Sequence, residues 1–216
     1  MAGGFTLYTQ ENEKCLNIRT RRSPSGSKMS VNPSLPVEPA MRIAVDLLSQ
    51  YAAYHRDQRN IASHFVGVPM IVFGIGVLLA QPAFTFAGWP LTLAWLAFAA
   101  VAAWYLTRGN LVLGMAGSAA VGVLMVLAHR LAAAGSLLAG LAWGLGFFVV
   151  GWMIQFIGHW YEGKKPAFVD DLVGLVVAPL FVTAEALFAL GWGKPLLAEI
   201  ERRAGPTMLR DLAKIA

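Results

Sequence analysis

Five apolar runs, at 64–80, 90–107, 110–130, 137–160 and 172–191, follow one another with only short loops between them. Each is close to the roughly 20 residues that an α-helix needs to cross a bilayer core. This repetition constrains the fold more than any other feature. A lipid-facing backbone must satisfy its own hydrogen bonds, which a helix does and an open sheet does not. No strand-like alternation accompanies the runs. The expectation is an all-α integral membrane helical bundle with four to five hydrophobic spans. Composition agrees, since 57% of the 216 residues are hydrophobic and 13% are charged, against about a quarter charged in soluble domains.

Gly88 and Pro90, Gly109 and Asn110, and Gly135 and Ser136 mark loops between runs, while the glycines inside the runs read as helix-packing contacts. Ahead of the first run, "MRIAVDLLSQYAAYHR" (41–56) has apolar residues at helical spacing. It is expected to form a short N-terminal amphipathic helix at the interface. Residues 1–40 are polar and rich in Ser and Pro, and they lack both a periodic apolar face and the h-region of a signal peptide. They are expected to be a disordered tail, with the bundle at 41–192 and a basic amphipathic C-terminal tail at 193–216. The net charge of +5 comes from the two tails and the loop at Lys164 and Lys165. That distribution suits membrane topology and anionic headgroups, and no nucleic-acid partner is expected. The single Cys15 excludes an intramolecular disulfide and a Cys-based zinc site.

Loop charge sets the expected topology. The basic N-terminal segment and Lys164/Lys165 belong on the cytoplasmic side, whereas 81–89 carries no Lys or Arg. Arg108 then falls inside and Arg130 outside. Pro179 interrupts the fifth run and a basic segment follows it. Either 172–191 is re-entrant or interfacial, or the C-terminus breaks the charge rule. In this scheme His55, His64 and His159 lie on one membrane face and His129 on the other.

Those three histidines sit in two polar stretches at the ends of apolar runs, "YAAYHRDQRNIASHFVGVP" (51–69) and "QFIGHWYEGKKPAF" (155–168). Gln155, His159 and Glu162 are spaced i, i+4 and i+7 and share one helical stripe. His55 and His64 are nine residues apart, roughly 13 Å along an unbroken helix and on opposite sides of it. They can meet at one ion only if the chain turns between them, with a break expected near 57–60 and Asn60 as a plausible N-cap. Neutral imidazoles suit Fe, Zn, Cu or Ni, and two or three His with a carboxylate suit non-haem Fe(II) and O₂ chemistry. Glu162 would either complete such a site or hold a ligand histidine from behind. Four histidines are too few for the histidine boxes of membrane desaturases, and no HExxH is present. Glu185, an ionisable group within an apolar run, is a further candidate.

The two stretches resemble the signatures of the membrane 2-hydroxy fatty acid dioxygenases, the family of the fungal phytosphingosine α-oxidation enzyme and its bacterial homologues. His55, Asn60, His64 and Pro69 match the first motif. Gln155, Phe156, Gly158, His159, Glu162, Gly163, Lys164, Lys165, Pro166 and Ala167 match the second. "APLFVTAEALFALG" is similar to the family's C-terminal run, so the resemblance covers about 45–192. It implies an Fe²⁺-dependent enzyme that uses O₂ to shorten a 2-hydroxy long-chain fatty acid by one carbon, releasing CO₂. His55, His64 and His159 would be the metal ligands. Glu162, Gln155, Asn60 and Tyr54 would support catalysis, with Gln155 orienting His159. Tyr51 and Tyr54 read equally as interfacial anchors, and Asn60 as a cap. Lys164 and Lys165 would attract the substrate carboxylate or serve only as inside-positive loop charges. The acyl chain would lie among membrane lipid and the spans while its polar head reaches the metal.

The Ala/Leu/Gly-rich spans lean toward a bacterial inner membrane, with the endoplasmic reticulum the alternative in a eukaryote. Two other function classes stand beside the enzyme: a non-catalytic membrane protein whose histidines organise one face, and a metal or small-solute transporter. A transporter should carry polar residues at mid-span, and the second and third runs have almost none.

Overall fold

The computed structural model describes residues 39–81, 84–86, 89–166 and 172–211. The tail expected at 1–40 lies outside them apart from Pro39 and Ala40, which open the first helix; 212–216 also lie outside. The described residues form α1 (Pro39–Ala52), α2 (Gln58–Leu79), β1 (Phe84–Phe86), β2 (Trp89–Leu91), α3 (Leu93–Leu106), α4 (Leu111–Ala133), α5 (Leu137–Glu162), α6 (Val173–Ala189) and α7 (Lys194–Ala204). The expected helical membrane bundle and its N-terminal amphipathic helix are both present. α2, α4 and α5 are long and apolar enough to cross a membrane, and α6 with α7 makes a pair bent by 120° that would count as a fourth span.

The second span differs from expectation. α3 has 14 residues, about 21 Å at 1.5 Å per residue, and it starts later than 90. Trp89–Leu91 instead pairs antiparallel with Phe84–Phe86 in a short hairpin. Pro90 cannot donate to a helix interior, and the flanking aromatic residues favour strand. Elsewhere the turn residues behave as read: Asn110 caps α4 by accepting from Leu113 N–H, and Ser136 caps α5 by accepting from Ala139 N–H.

α2 and α5 form the closest helix pair, because small residues face each other along it. A β-carbon at Gly74 would stand 2.7 Å from the Gly144 carbonyl oxygen, and one at Gly67 would stand 2.9 Å from that of Gly151. Seven-residue spacing on both helices thus lets the backbones approach, as small residues do at interfaces in lipid. α1 buries Ala44, Val45, Leu48, Tyr51 and Ala52, one stripe of its surface. This stripe joins a cluster with Phe181 of α6 and with Leu196 and Ile200 of α7. The basic segment after 193 therefore folds back onto α1, and this contact brings residues 205–211 to the turn between α1 and α2.

Candidate metal centre

The turn required between His55 and His64 is present, slightly earlier than expected: α1 ends at Ala52 and α2 starts at Gln58. Asp57 caps α2, not Asn60. Its side chain accepts from Arg59 N–H and its carbonyl accepts from Ile61 N–H at 3.0 Å, so the cap stands three residues before Asn60. Asn60 lies inside the first turn and is fully buried.

Two local hydrogen bonds orient the first two histidines. His55 Nδ1 donates to the Tyr51 carbonyl at 2.6 Å, and His64 Nδ1 donates to the Asn60 carbonyl at 2.8 Å. A carbonyl can only accept, so each Nδ1 carries the proton and each Nε2 presents a lone pair. These two Nε2 atoms face each other at 2.9 Å. Two acceptors that close repel unless a cation lies beside both. Protonating His55 would relieve the contact, but burial, followed by the nearby His64, holds its pKa well below the ordinary imidazole value.

His159 of α5 approaches both rings edge-on, with centroid distances of 4.9 and 5.3 Å. The three residues are 0%, 1% and 6% exposed. One ring nitrogen from each lies within 4.8 Å of the others, the geometry of a potential metal site. By hydrogen-bond geometry, His159 Nδ1 is buried without a partner among the described residues. The donor set fits a first-row transition metal, and carbonyl-bound Nδ1–H groups are the usual outer support of metal-ligating histidines.

Glu162 stands behind this group. Its Oε2 accepts from the backbone N–H of Arg56 at 2.9 Å and of Asp57 at 2.7 Å, and from Asn60 Nδ2 at 3.2 Å. Its Oε1 pairs with Arg210 Nη2 at 2.8 Å, an ion pair rather than an aligned hydrogen bond. Both oxygens are thus engaged, by the turn that follows His55, by Asn60 and by Arg210. α5 ends at Glu162 itself and is capped by Gly163, whose φ of +67° is the left-handed conformation that glycine adopts without strain. A side chain at Gly158 would meet Asn60 Oδ1 at 2.6 Å, so glycine there admits Asn60 to the clamp.

The remaining sequence candidates divide. Gln155 is buried, its Oε1 has no partner, and it makes no hydrogen bond to His159 among the described residues. Instead it lines a cavity with Tyr51, His64 and His159, about 440 Å³ with its open mouth included. Tyr54 contributes its carbonyl, which accepts from Asn60 Nδ2. Lys164 Nζ donates to the Ala53 carbonyl at 2.7 Å, and Lys165 is exposed on the same loop. Neither lysine is among the cavity's lining residues. Glu185 serves as counter-charge to the buried Arg56, with Oε1 3.6 Å from Nη2.

Sequence reasoning passed over Arg56, Asp57 and the C-terminal strap. Arg56 Nε donates to the carbonyls of Ala52 and His55, and its Nη1 donates to the Gly205 carbonyl. Met208 N–H donates to the Arg56 carbonyl, and Gln58 N–H donates to that of Met208. The Asp57 carboxylate takes Arg59 in two bonds plus the Arg210 N–H; chiefly through Arg59, its pKa is held down at about 2. The signal was there, as "HRD" places two opposite charges directly after a candidate ligand.

Comparison with known proteins bears on this geometry. A family profile described as "2-hydroxy-palmitic acid dioxygenase Mpo1-like" matches residues 41–190. The chain is also 32% identical over 163 residues to the 2-hydroxy-palmitic acid dioxygenase MPO1 of Saccharomyces cerevisiae, covering 73% of this chain and 88% of that protein. No solved structure matches. All the residues that build the histidine group and its Glu162 clamp, Arg210 excepted, lie within the matched region, and the chain belongs to the Mpo1-like family.

Proposed function

We propose that the chain is a non-haem Fe(II) dioxygenase that performs α-oxidation of 2-hydroxy fatty acids. In the overall reaction a 2-hydroxy acid and O₂ give the acid one carbon shorter, CO₂ and water. The carbon–carbon bond to the carboxyl carbon breaks, and the substrate's four electrons reduce O₂. The observation that carries this reading is the pair of buried Nε2 lone pairs at 2.9 Å with His159 beside them. Histidine donors with open positions suit non-haem Fe(II) and O₂ chemistry. The relative's name supplies the substrate class.

His55, His64 and His159 would hold the metal. Ferrous iron, when bound, supplies the one-electron chemistry that lets O₂ react with a closed-shell acid. The protein's part is to position and to exclude water. Gln155 Oε1, buried beside His64 and His159 and without a partner among the described residues, would accept a hydrogen bond from the substrate 2-hydroxyl. Val68 and Trp152 in the cavity wall would keep water from the reacting carbon. Lys164 and Lys165, outside the cavity, would draw the carboxylate toward its mouth. Glu162 would keep His55 aimed by fixing the turn that carries it. The site would face the cytoplasm, by the charge of the Lys164/Lys165 loop, in a bacterial inner membrane or the endoplasmic reticulum.

The test is anaerobic purification, measurement of bound iron, and O₂ uptake with 2-hydroxypalmitic acid. About one iron per chain and acid-dependent uptake are expected. Iron at the wild-type level in each of His55→Ala, His64→Ala and His159→Ala would sink the ligand assignment.

A further inference from the structure

The histidine cavity does not stop at the histidines. Val72, Leu175 and Pro179 line it and also line a second cavity, about 660 Å³ with its open side included, between α2, α3, α4 and α6. This second space has apolar walls, with Phe98, Val101, Val121 and Met125 on its far side. Its one hydroxyl-bearing neighbour, Tyr105, donates that hydroxyl to the Val176 carbonyl at 2.8 Å. Polarity therefore falls from one end to the other: three imidazoles and Gln155 at the first, hydrocarbon at the second.

α2 ties the two spaces together. His64, Val68, Val72, Ile75 and Leu79 all line one or both, and their spacing of four, four, three and four residues makes one helical stripe. From His64 to Leu79 that stripe is roughly 22 Å long at 1.5 Å per residue. A lipid chain in one leaflet occupies about half of a ~30 Å hydrocarbon core, so the stripe is long enough for a long-chain acyl tail.

Resting on the function proposed above, we infer that the two cavities form one acyl conduit. The substrate's 2-hydroxy-carboxylate end sits at His64, Gln155 and His159. The tail passes a waist of Val72, Leu175 and Pro179, and its methyl end lies against Phe98 and Val101. These last two side chains, remote from the histidines, set the preferred chain length.

The test uses the full-length protein and 2-hydroxy forms of octanoic, palmitic and behenic acids. Val101→Phe should raise the octanoic-to-palmitic ratio of kcat/KM by at least about tenfold, the scale of discrimination an apolar pocket achieves, with bound iron unchanged. Phe98→Ala should move the preference toward behenic acid. Ratios taken within one preparation do not depend on how much of a variant folds. Unchanged profiles in both variants overturn the conduit. If the wild type turns over none of the acids, thermal shifts under argon decide. Stabilisation that grows with chain length, and loses its long-chain increment in Val101→Phe, supports the conduit while the proposed reaction fails. Stabilisation independent of chain length, or a co-purified phospholipid that the acids do not displace, overturns it.

Discussion

His64 and His129 begin alike. Each lies within a helix and donates Nδ1–H to the carbonyl four residues earlier, Asn60 in one case and Met125 in the other. Each also has an aromatic neighbour, Tyr51 edge-on to His64 and Trp95 stacked on His129. They differ at the other nitrogen. His129 Nε2 meets the Thr92 hydroxyl at 2.7 Å, a group that can donate to it. His64 Nε2 meets His55 Nε2, which cannot. One histidine is satisfied by the protein alone, and the other, in the proposed reading, is left for a cation to satisfy. The proposed ligand histidine is thus distinguished by what its second nitrogen lacks, since both share the same local hydrogen bond.

That contrast can be broken most directly by metal content. His55→Ala, His64→Ala and His159→Ala are each expected to abolish stoichiometric iron, measured by elemental analysis after anaerobic purification. His129→Ala should keep iron at the wild-type level. Equal loss in all four would erase the distinction.

Glu162→Ala comes next. It removes the acceptor for two backbone N–H groups in the turn and for Asn60 Nδ2. Iron affinity should fall by about 10–100-fold, the usual effect of losing an outer support, as read by chelator competition. Glu162→Gln, which keeps one carbonyl oxygen, should lose less.

Thr92→Val tests the satisfied side. Leaving His129 Nε2 without a donor should cost about 1–3 kcal/mol in denaturant-induced unfolding, with iron content unaltered.

The smallest expected change concerns the helix cap. Asp57→Ala should cost about 1 kcal/mol as a lost N-cap and loosen the strap at Met208–Arg210. The sign of its pH dependence follows from its depressed pKa. Arg59 holds the folded carboxyl near 2, below its usual 3.8, so the contribution is complete above about 3.8 and disappears as pH falls through about 2. Acid unfolding of Asp57→Asn should therefore lack this part of the low-pH limb.

Much of this was legible along the chain. The apolar runs, the loop positions at Asn110 and Ser136 and the packing role of the glycines within the runs follow from local pattern. So does the need for a turn between His55 and His64, because nine residues of continuous helix would separate them. Asn60 was misread because Asn and Asp are both good caps, and "RDQRN" offers both. Which one starts the helix depends on Arg59 and Arg210 arriving to hold Asp57. The second apolar run was drawn too long because hydropathy does not distinguish helix from an apolar hairpin near Pro90.

By itself, then, the sequence determined that the chain is a membrane helical bundle and that three histidines can share one end of it. These outcomes rest on hydrophobic length and helical periodicity, which act within a few turns. Tertiary structure alone decided that Nε2 faces Nε2, that Glu162 spends its oxygens on the turn, and that Arg210 returns to pair with it. It also decided that two cavities share the wall made by Val72, Leu175 and Pro179. Glu162 reaches residues more than a hundred positions earlier, and Arg210 pairs with it from 48 positions later. Helix packing selects them, and no local spacing encodes the angle at which two helices meet.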